Sequence, residues 1–188
     1  MEWQVLSSEY LTKHPPFFVT RKDVCRRDDG TLIPAYYVVE LPPSVLVFAL
    51  AENEKVLMVK QYRHPVKEIS IEFPGGFVDE GETPLDAARR EMLEETGYVF
   101  GDYQYLGKIA ANPGVLSNYT HFFLATNVME KRPQQLETSE EIKTELYPIH
   151  EVIELVKENR IIQSLHANAC FYALMHLNKL HFDTKARQ

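Results

Sequence analysis

The chain has 188 residues, 20 Lys+Arg against 27 Asp+Glu, a formal net charge of −7, and 45% apolar and 25% charged side chains. A chain of that size and balance can bury the core of one ordinary domain, which excludes a disordered tail, a fibre and a mini-protein that needs staples. Two cysteines, Cys25 and Cys170, are too few for a disulfide framework, and the acidic excess argues against a broad nucleic-acid-binding face while leaving room for a local basic pocket around one phosphate ligand.

The first residues, MEWQVLSSEYLTKHPP, carry acid and polar groups where a secretory leader needs a basic start and an apolar run. No stretch nears the roughly 18 apolar residues of a membrane span. A cytoplasmic protein with no membrane partner is therefore expected. Residues 1–43 hold strand-like, aromatic material, and the turn-rich stretch RRDDGTL lies too near the start to separate two large domains. The expected organisation is an amino-terminal β segment over 1–43 and a main domain over 44–188.

Apolar, often β-branched or aromatic runs bounded by Pro, Gly or Asn predict strands over 33–41, 45–50, 56–62, 69–73 and 121–126. Only Pro42, Pro43 and Ser44 separate the first two, and only residues 51–55 separate the second and third, so each pair is expected to be antiparallel neighbours. From Thr83 the period changes. Thr83 is an N-cap candidate, Pro84 suits the first helical position, Asp86 adds an acid to the first turn, and Gly97 stops the helix. Leu85, Ala88 and Met92 make its apolar stripe, while Glu91, Glu94 and Glu95 lie one turn apart on another side. Further helices are expected after Pro148 (HEVIELVKEN) and over 162–180. Strands with one helix inserted and helices following point to α+β or to a three-layer α/β/α arrangement.

The acidic helix carries the chemistry. Three carboxylates within about 6 Å repel one another, so either they form a solvated charged face or something positive sits there. Mg²⁺ and its hard relatives take a few carboxylates plus water and substrate phosphate. A glycine-rich turn, Gly75-Gly76-Phe77-Val78-Asp79-Glu80-Gly81-Glu82, precedes the helix and lets backbone approach a ligand closely.

Taken whole, GFVDEGETPLDAARREMLEETGY resembles the Nudix box. Gly76, Glu82, Arg90, Glu91, Glu94, Glu95 and Gly97 match its fixed positions, with Met92 and Tyr98 where smaller aliphatics are usual. The resemblance implies a Nudix α/β/α sandwich with a mixed central sheet, and hydrolysis of a phosphoanhydride in a nucleoside diphosphate linked to another group, with Mg²⁺ or Mn²⁺ as cofactor. It makes Glu91 and Glu95 direct metal ligands, with Glu94 and the Gly75 carbonyl completing the sites. Arg90 would orient a carboxylate, a role compatible with an ordinary i,i+4 pairing to Glu94.

Gln61-Tyr62-Arg63-His64-Pro65, Glu72-Phe73-Pro74-Gly75-Gly76 and Asn112-Pro113-Gly114 are similar to the branch that hydrolyses ADP-ribose and nucleotide sugars. On that likeness Arg63 and Glu72 face substrate; a guanidinium fork suits diphosphate oxygens, the other reading of Arg63 being a structural salt bridge. Neutral Asn118 stands where ADP-ribose pyrophosphatases commonly carry an acid, which leans toward the broader nucleoside-diphosphate-sugar members and keeps Asn118 a substrate-contact candidate. Phe18 and Tyr36, with Phe17 and Tyr37, could supply an aromatic platform for a purine or could be core.

The acidic stretch 137–142 is similar to the loop that supplies a general base in this branch, with Glu140 favoured and Glu141 second. Members pair through an amino-terminal β segment, so a C2 homodimer is expected. The partners expected are a small nucleotide-sugar substrate and no nucleic acid. The alternatives are a dinucleoside polyphosphate or nucleoside triphosphate pyrophosphohydrolase, and a non-catalytic ligand-sensing module; the latter usually loses box acids, and none is lost here.

Overall fold

The computed structural model describes residues 2–136, 138 and 140–180, and the chain divides into two compact units. The first takes the chain up to Pro43 together with Ala110–Tyr119. It is a meander of β1 (Gln4–His14), β2 (Phe18–Arg26) and β3 (Leu32–Glu40), antiparallel throughout. The β2 to β3 reversal uses Asp28, Asp29 and Gly30. Gly30 takes a φ of +84°, which an L side chain resists, and the Arg27 amide donates to the Thr31 carbonyl. The Ala110–Tyr119 segment is sewn along β3: the Val39 amide donates to the Val115 carbonyl at 2.9 Å, and the Ser117 amide to the Val39 carbonyl at 3.1 Å.

The second unit is a mixed sheet between helices. Its strands are β4 (Ser44–Leu50), β5 (Lys55–Arg63), β6 (Glu68–Glu72), β7 (Tyr98–Ile109), β8 (Thr120–Lys131) and β9 (Lys143–Pro148). Strand β4 lies parallel to β8, and the remaining pairings are antiparallel. One edge of β5 pairs with β9 along Lys55–Lys60, while the other edge is shared: β4 takes Val56 and Leu57, and β6 takes Val59 to Arg63. Beyond β6 the chain crosses to β4, where the Val47 and Val45 amides donate to the carbonyls of Pro74 and Gly76 at 2.9 and 2.8 Å.

The sheet is apolar on both faces because each covers a helical layer. Along β4, Val45, Val47 and Ala49 pack with Leu57, Phe123 and Ala125 against Ala87, Ala88 and Met92 of the helix α1 (Pro84–Glu91) and the wider π-type turn, Met92–Thr96, that continues it. The alternate residues Leu46 and Phe48 join Met58, Phe122 and Leu124 against α2 (Ile149–Lys157) and α3 (Ser164–His176), through Val152, Leu155, Ala169, Cys170 and Ala173. This is the expected α/β/α sandwich with an amino-terminal β sheet beside it in sequence. No helix among the described residues is long and apolar enough to cross a membrane.

One expectation is corrected, and two stretches are resolved further than the sequence allowed. Strand β3 does not neighbour β4; it pairs with β2, and β4 belongs to the other sheet. The two prolines between them lack amide donors and hold φ, so no ladder can be carried through the connection. Strands β1 and β2 were visible only as strand-like material. Strand β7 was not foreseen: Gly101 and Gly107 interrupt it, and it carries two register shifts against β8 that break its alternation.

Candidate active site

The acidic helix is placed by its ends and its apolar face. The Thr83 hydroxyl accepts the Asp86 amide at 3.2 Å, capping the first turn. Gly97 closes the last turn with a φ of +74°, and a Cβ there would run into the Arg132 carbonyl. With Ala87, Ala88 and Met92 committed to the sheet, the glutamates turn toward the glycine-rich strap, but unequally. Glu95 is 4% exposed and its Oε2 accepts the Gly75 amide at 2.8 Å. The Glu91 side chain is 12% exposed and lies so close to Gly76 that any Cβ there would strike its carboxylate. Glu94 stands further out.

Arg90 holds the outer edge of this group. Its Nε and Nη2 donate to the two Glu82 oxygens at 3.0 and 2.9 Å, Nη2 also to the Phe77 carbonyl at 2.8 Å, and Nη1 to Glu91 and Glu94 at 2.9 and 3.1 Å. One guanidinium thus ties the strap to two box carboxylates, which raises its own pKa further above the ordinary arginine value.

Burial pushes the Glu91 carboxyl up to about 7 against the opposing pull of Arg90, with Glu94 and Glu140 adding repulsion. Burial likewise holds Glu95 well above the usual carboxylate range, opposed by the Gly75 amide and reinforced by Glu91, Glu140 and Glu72. A buried Glu95 and a largely covered Glu91, mutually repelling and with Arg90 bonded to Glu91 alone of the two, are a donor set suited to a divalent cation. Among the described residues no three acid, His or Cys side chains converge into a ready-made metal cage. Glu91 and Glu95 are donors of the kind an ion such as Mg²⁺ takes, with waters and substrate phosphate making up the rest of its shell. Gly75 meets Glu95 through its amide.

A second cluster backs the first. Glu72, 1% exposed, receives the Arg63 fork from Nε at 2.8 Å and Nη2 at 2.6 Å, and the Gln61 amide at 3.3 Å; His166 Nε2 lies 3.4 Å from its Oε2. Burial alone would raise this carboxyl, but Arg63 and His166 outweigh it and hold Glu72 below the usual carboxylate range. The Arg63 side chain, 43% exposed, is engaged but uncovered.

The half-buried Glu140 acts electrostatically on Glu91, Glu95 and Arg63, whereas Glu141 is exposed. Glu137 and Ser139 of the same stretch lie outside the described residues. A strap from the end of β8 joins loop to helix: the Gln135 amide donates to the Glu94 carbonyl at 2.8 Å, and Gln134 Nε2 donates to the carbonyls of both Glu95 and Ile142.

Within the first unit, the Tyr36 hydroxyl donates to the Gly114 carbonyl at 2.9 Å, with its ring edge-on to Trp3, and the Asn118 amide donates to the Pro42 carbonyl at 3.0 Å. Their polar groups hold the Ala110–Tyr119 segment in place. Phe18 is exposed at the start of β2. Sequence reasoning missed Trp3, Gln134 and His166. A histidine inside an apolar helical stretch was the one available signal for His166, and an amide in a loop offered none for Gln134.

Residues 40–166 match the NUDIX domain. The chain belongs to that family. Residues 3–39 match the nucleoside diphosphate sugar hydrolase N-terminal domain. Among curated relatives, the ADP-ribose pyrophosphatase of Mycobacterium tuberculosis is 31% identical over 87% of this chain and 79% of its own length. That of Bacillus subtilis is 30% identical over 72% and 74%. The methanol dehydrogenase activator of Bacillus methanolicus is 32% identical over 68% and 69%. A crystal structure of an ADP compounds hydrolase superposes with a TM-score of 0.83 at 18% identity, covering 95% of this chain and 96% of that one, and so shares the fold. Nudix hydrolases use divalent metal ions, and the Glu91 and Glu95 donors fit one.

Proposed function

We propose that this Nudix enzyme hydrolyses the pyrophosphate bond of ADP-ribose or a nucleoside diphosphate sugar, giving a nucleoside monophosphate and a sugar phosphate, with Mg²⁺ or Mn²⁺ as the ion. The observation that carries this is the pair of sheltered carboxylates, the buried Glu95 held by the Gly75 amide and the largely covered Glu91 held by Arg90. The amino-terminal match and the relatives named for ADP-ribose narrow the substrate class.

Glu91 and Glu95 would hold the ion, with Glu94 beside them. When bound, such an ion would supply charge neutralisation to the pyrophosphate and acidify the attacking water. Arg90 keeps the carboxylates aimed. Water adds to one phosphorus, the bridging P–O bond breaks, and the water's proton passes to Glu140, the loop carboxylate whose charge reaches both ligands. Glu141, exposed beside it, is the weaker candidate. Arg63 spends its inner edge on Glu72 and offers its exposed edge to phosphate.

The first unit, whose outer strand β1 bears the exposed Val5, Tyr10 and Leu11, serves as a homodimer contact, and Phe18 and Tyr36 are its candidates for stacking a nucleoside base. The deciding assay is product analysis on ADP-ribose, ADP-glucose, GDP-mannose and UDP-glucose with Mg²⁺ and with EDTA. Nucleoside monophosphate and sugar phosphate should form only with metal. Turnover undiminished in EDTA, or inertness toward all four substrates, refutes the reading.

A further inference from the structure

The short span from β6 to the box carboxylates changes partner midway. Through Glu72 it pairs with β5, and from Pro74 it is bonded to β4. Phe73 sits at the changeover, 1% exposed. Its amide donates not to a strand but to His166 Nδ1 on α3, at 2.9 Å, and the two rings stack with centroids 6.0 Å apart at 23°. Because Nδ1 accepts, the ring proton is on Nε2, which faces Glu72 Oε2 at 3.4 Å. One imidazole therefore fixes both the last β6 carboxylate and the first amide beyond it. Two residues further on, the Gly75 amide holds Glu95, and Gly76 leaves the space that the Glu91 carboxylate fills.

We propose that His166 is a positioning residue for the metal carboxylates: by accepting the Phe73 amide it sets where the Gly75 and Gly76 backbone meets Glu95 and Glu91, and so tunes metal affinity from the opposite layer of the sandwich. The proposal rests on the reading of Glu91 and Glu95 as ligands. Groups bonded directly to metal ligands typically change affinity by about 10 to 100-fold when removed, and His166, acting one step further back through the Phe73 to Gly75 backbone, is expected at the low end of that range.

The test is Mn²⁺ titration followed by electron paramagnetic resonance on wild type, His166→Asn, His166→Gln and Glu95→Gln, each checked for folding by circular dichroism. Asparagine can place an acceptor oxygen near the Nδ1 position, whereas glutamine reaches the Nε2 position instead. The expected result is an affinity loss of about 10-fold or more in His166→Gln, with His166→Asn recovering most of it. A purely structural role would lower stability in both variants and leave the affinity of the folded protein alone. Affinity within about twofold of wild type in folded His166→Gln, with Glu95→Gln impaired, overturns this inference and spares the metal reading. Absence of Mn²⁺ binding in wild type overturns the metal reading beneath it.

A second measurement needs no substitution. ¹⁵N spectra of the wild-type imidazoles should show His166 protonated at Nε2 and bare at Nδ1, with the Phe73 and Gly75 amides shifting when Mg²⁺ is added. A proton on Nδ1, or amides indifferent to Mg²⁺, overturns the proposal.

Discussion

Replacing Arg63 with methionine would separate the two roles open to it. The guanidinium delivers two charge-assisted bonds, 2.8 and 2.6 Å long, to a carboxylate that is 1% exposed. Removing one partner of a buried pair costs about 3–5 kcal/mol, because the remaining charge is left without compensation. Two corrections lower that figure. Arg63 is itself 43% exposed, so water enters where it stood, and Gln61 and His166 stay beside Glu72. About 2–3 kcal/mol should remain, a fall of about 4–12 °C in Tm for a chain of this size.

The pH dependence follows from the sign of the Glu72 shift. Its folded pKa is depressed, so its ion pair stabilises above the ordinary carboxylate range and is lost as pH falls through the depressed value. In the variant the orphaned carboxylate takes up a proton earlier, so the deficit should narrow as pH falls from neutral toward 4. Urea titrations of wild type, Arg63→Met, Glu72→Gln and the double variant measure this, and the double variant should be less impaired than the sum of the singles by about 1–2 kcal/mol. A deficit under about 1 kcal/mol that does not vary with pH, accompanied by a raised KM, would refute the structural reading and leave Arg63 as a substrate contact alone.

Glu140→Gln should slow turnover by about 10² to 10⁴-fold with Mg²⁺ and substrate affinity nearly unchanged in calorimetry, whereas Glu95→Gln should lose metal as well as rate. Normal turnover in Glu140→Gln would move the base to Glu141 or to a box glutamate. Burial pushes the Cys170 thiol up to about 12, so at pH 8 it should react with a disulfide reagent only as fast as the native protein opens, and immediate labelling would show the α3 core to be looser than described. Solution scattering at micromolar concentration should return twice the chain mass, and an active monomer would contradict the homodimer.

Local chemistry was enough for the box helix. A capping threonine, a proline at the first position, a terminal glycine and glutamates spaced by one turn act over a few residues, so the helix, its start and its end could be read directly, as could the helices after Pro148 and Gln163. The buried strands were legible for the same reason, being short apolar runs between breakers. Pairing was legible only across the short β4 to β5 connection, where the two strands are antiparallel as expected. Which other strands meet depends on contacts distant in sequence, so the partner of β3, the pairing of β4 with β8 and the second edge of β5 were settled only when the whole sheet closed. The same holds inside the site. Glu91, Glu94 and Glu95 look alike in the sequence, yet the packing of Met92 on the sheet and the crossing of the strap from β5 to β4 bury Glu95 and Glu91 and leave Glu94 further out. His166 and Gln134 reach the site across 93 and 39 residues of chain. Residue type and short spacing determine what a side chain can do, but only the folded chain decides which of them lose water and meet a distant partner, and burial next to like charge is what turns a row of glutamates into a candidate metal site.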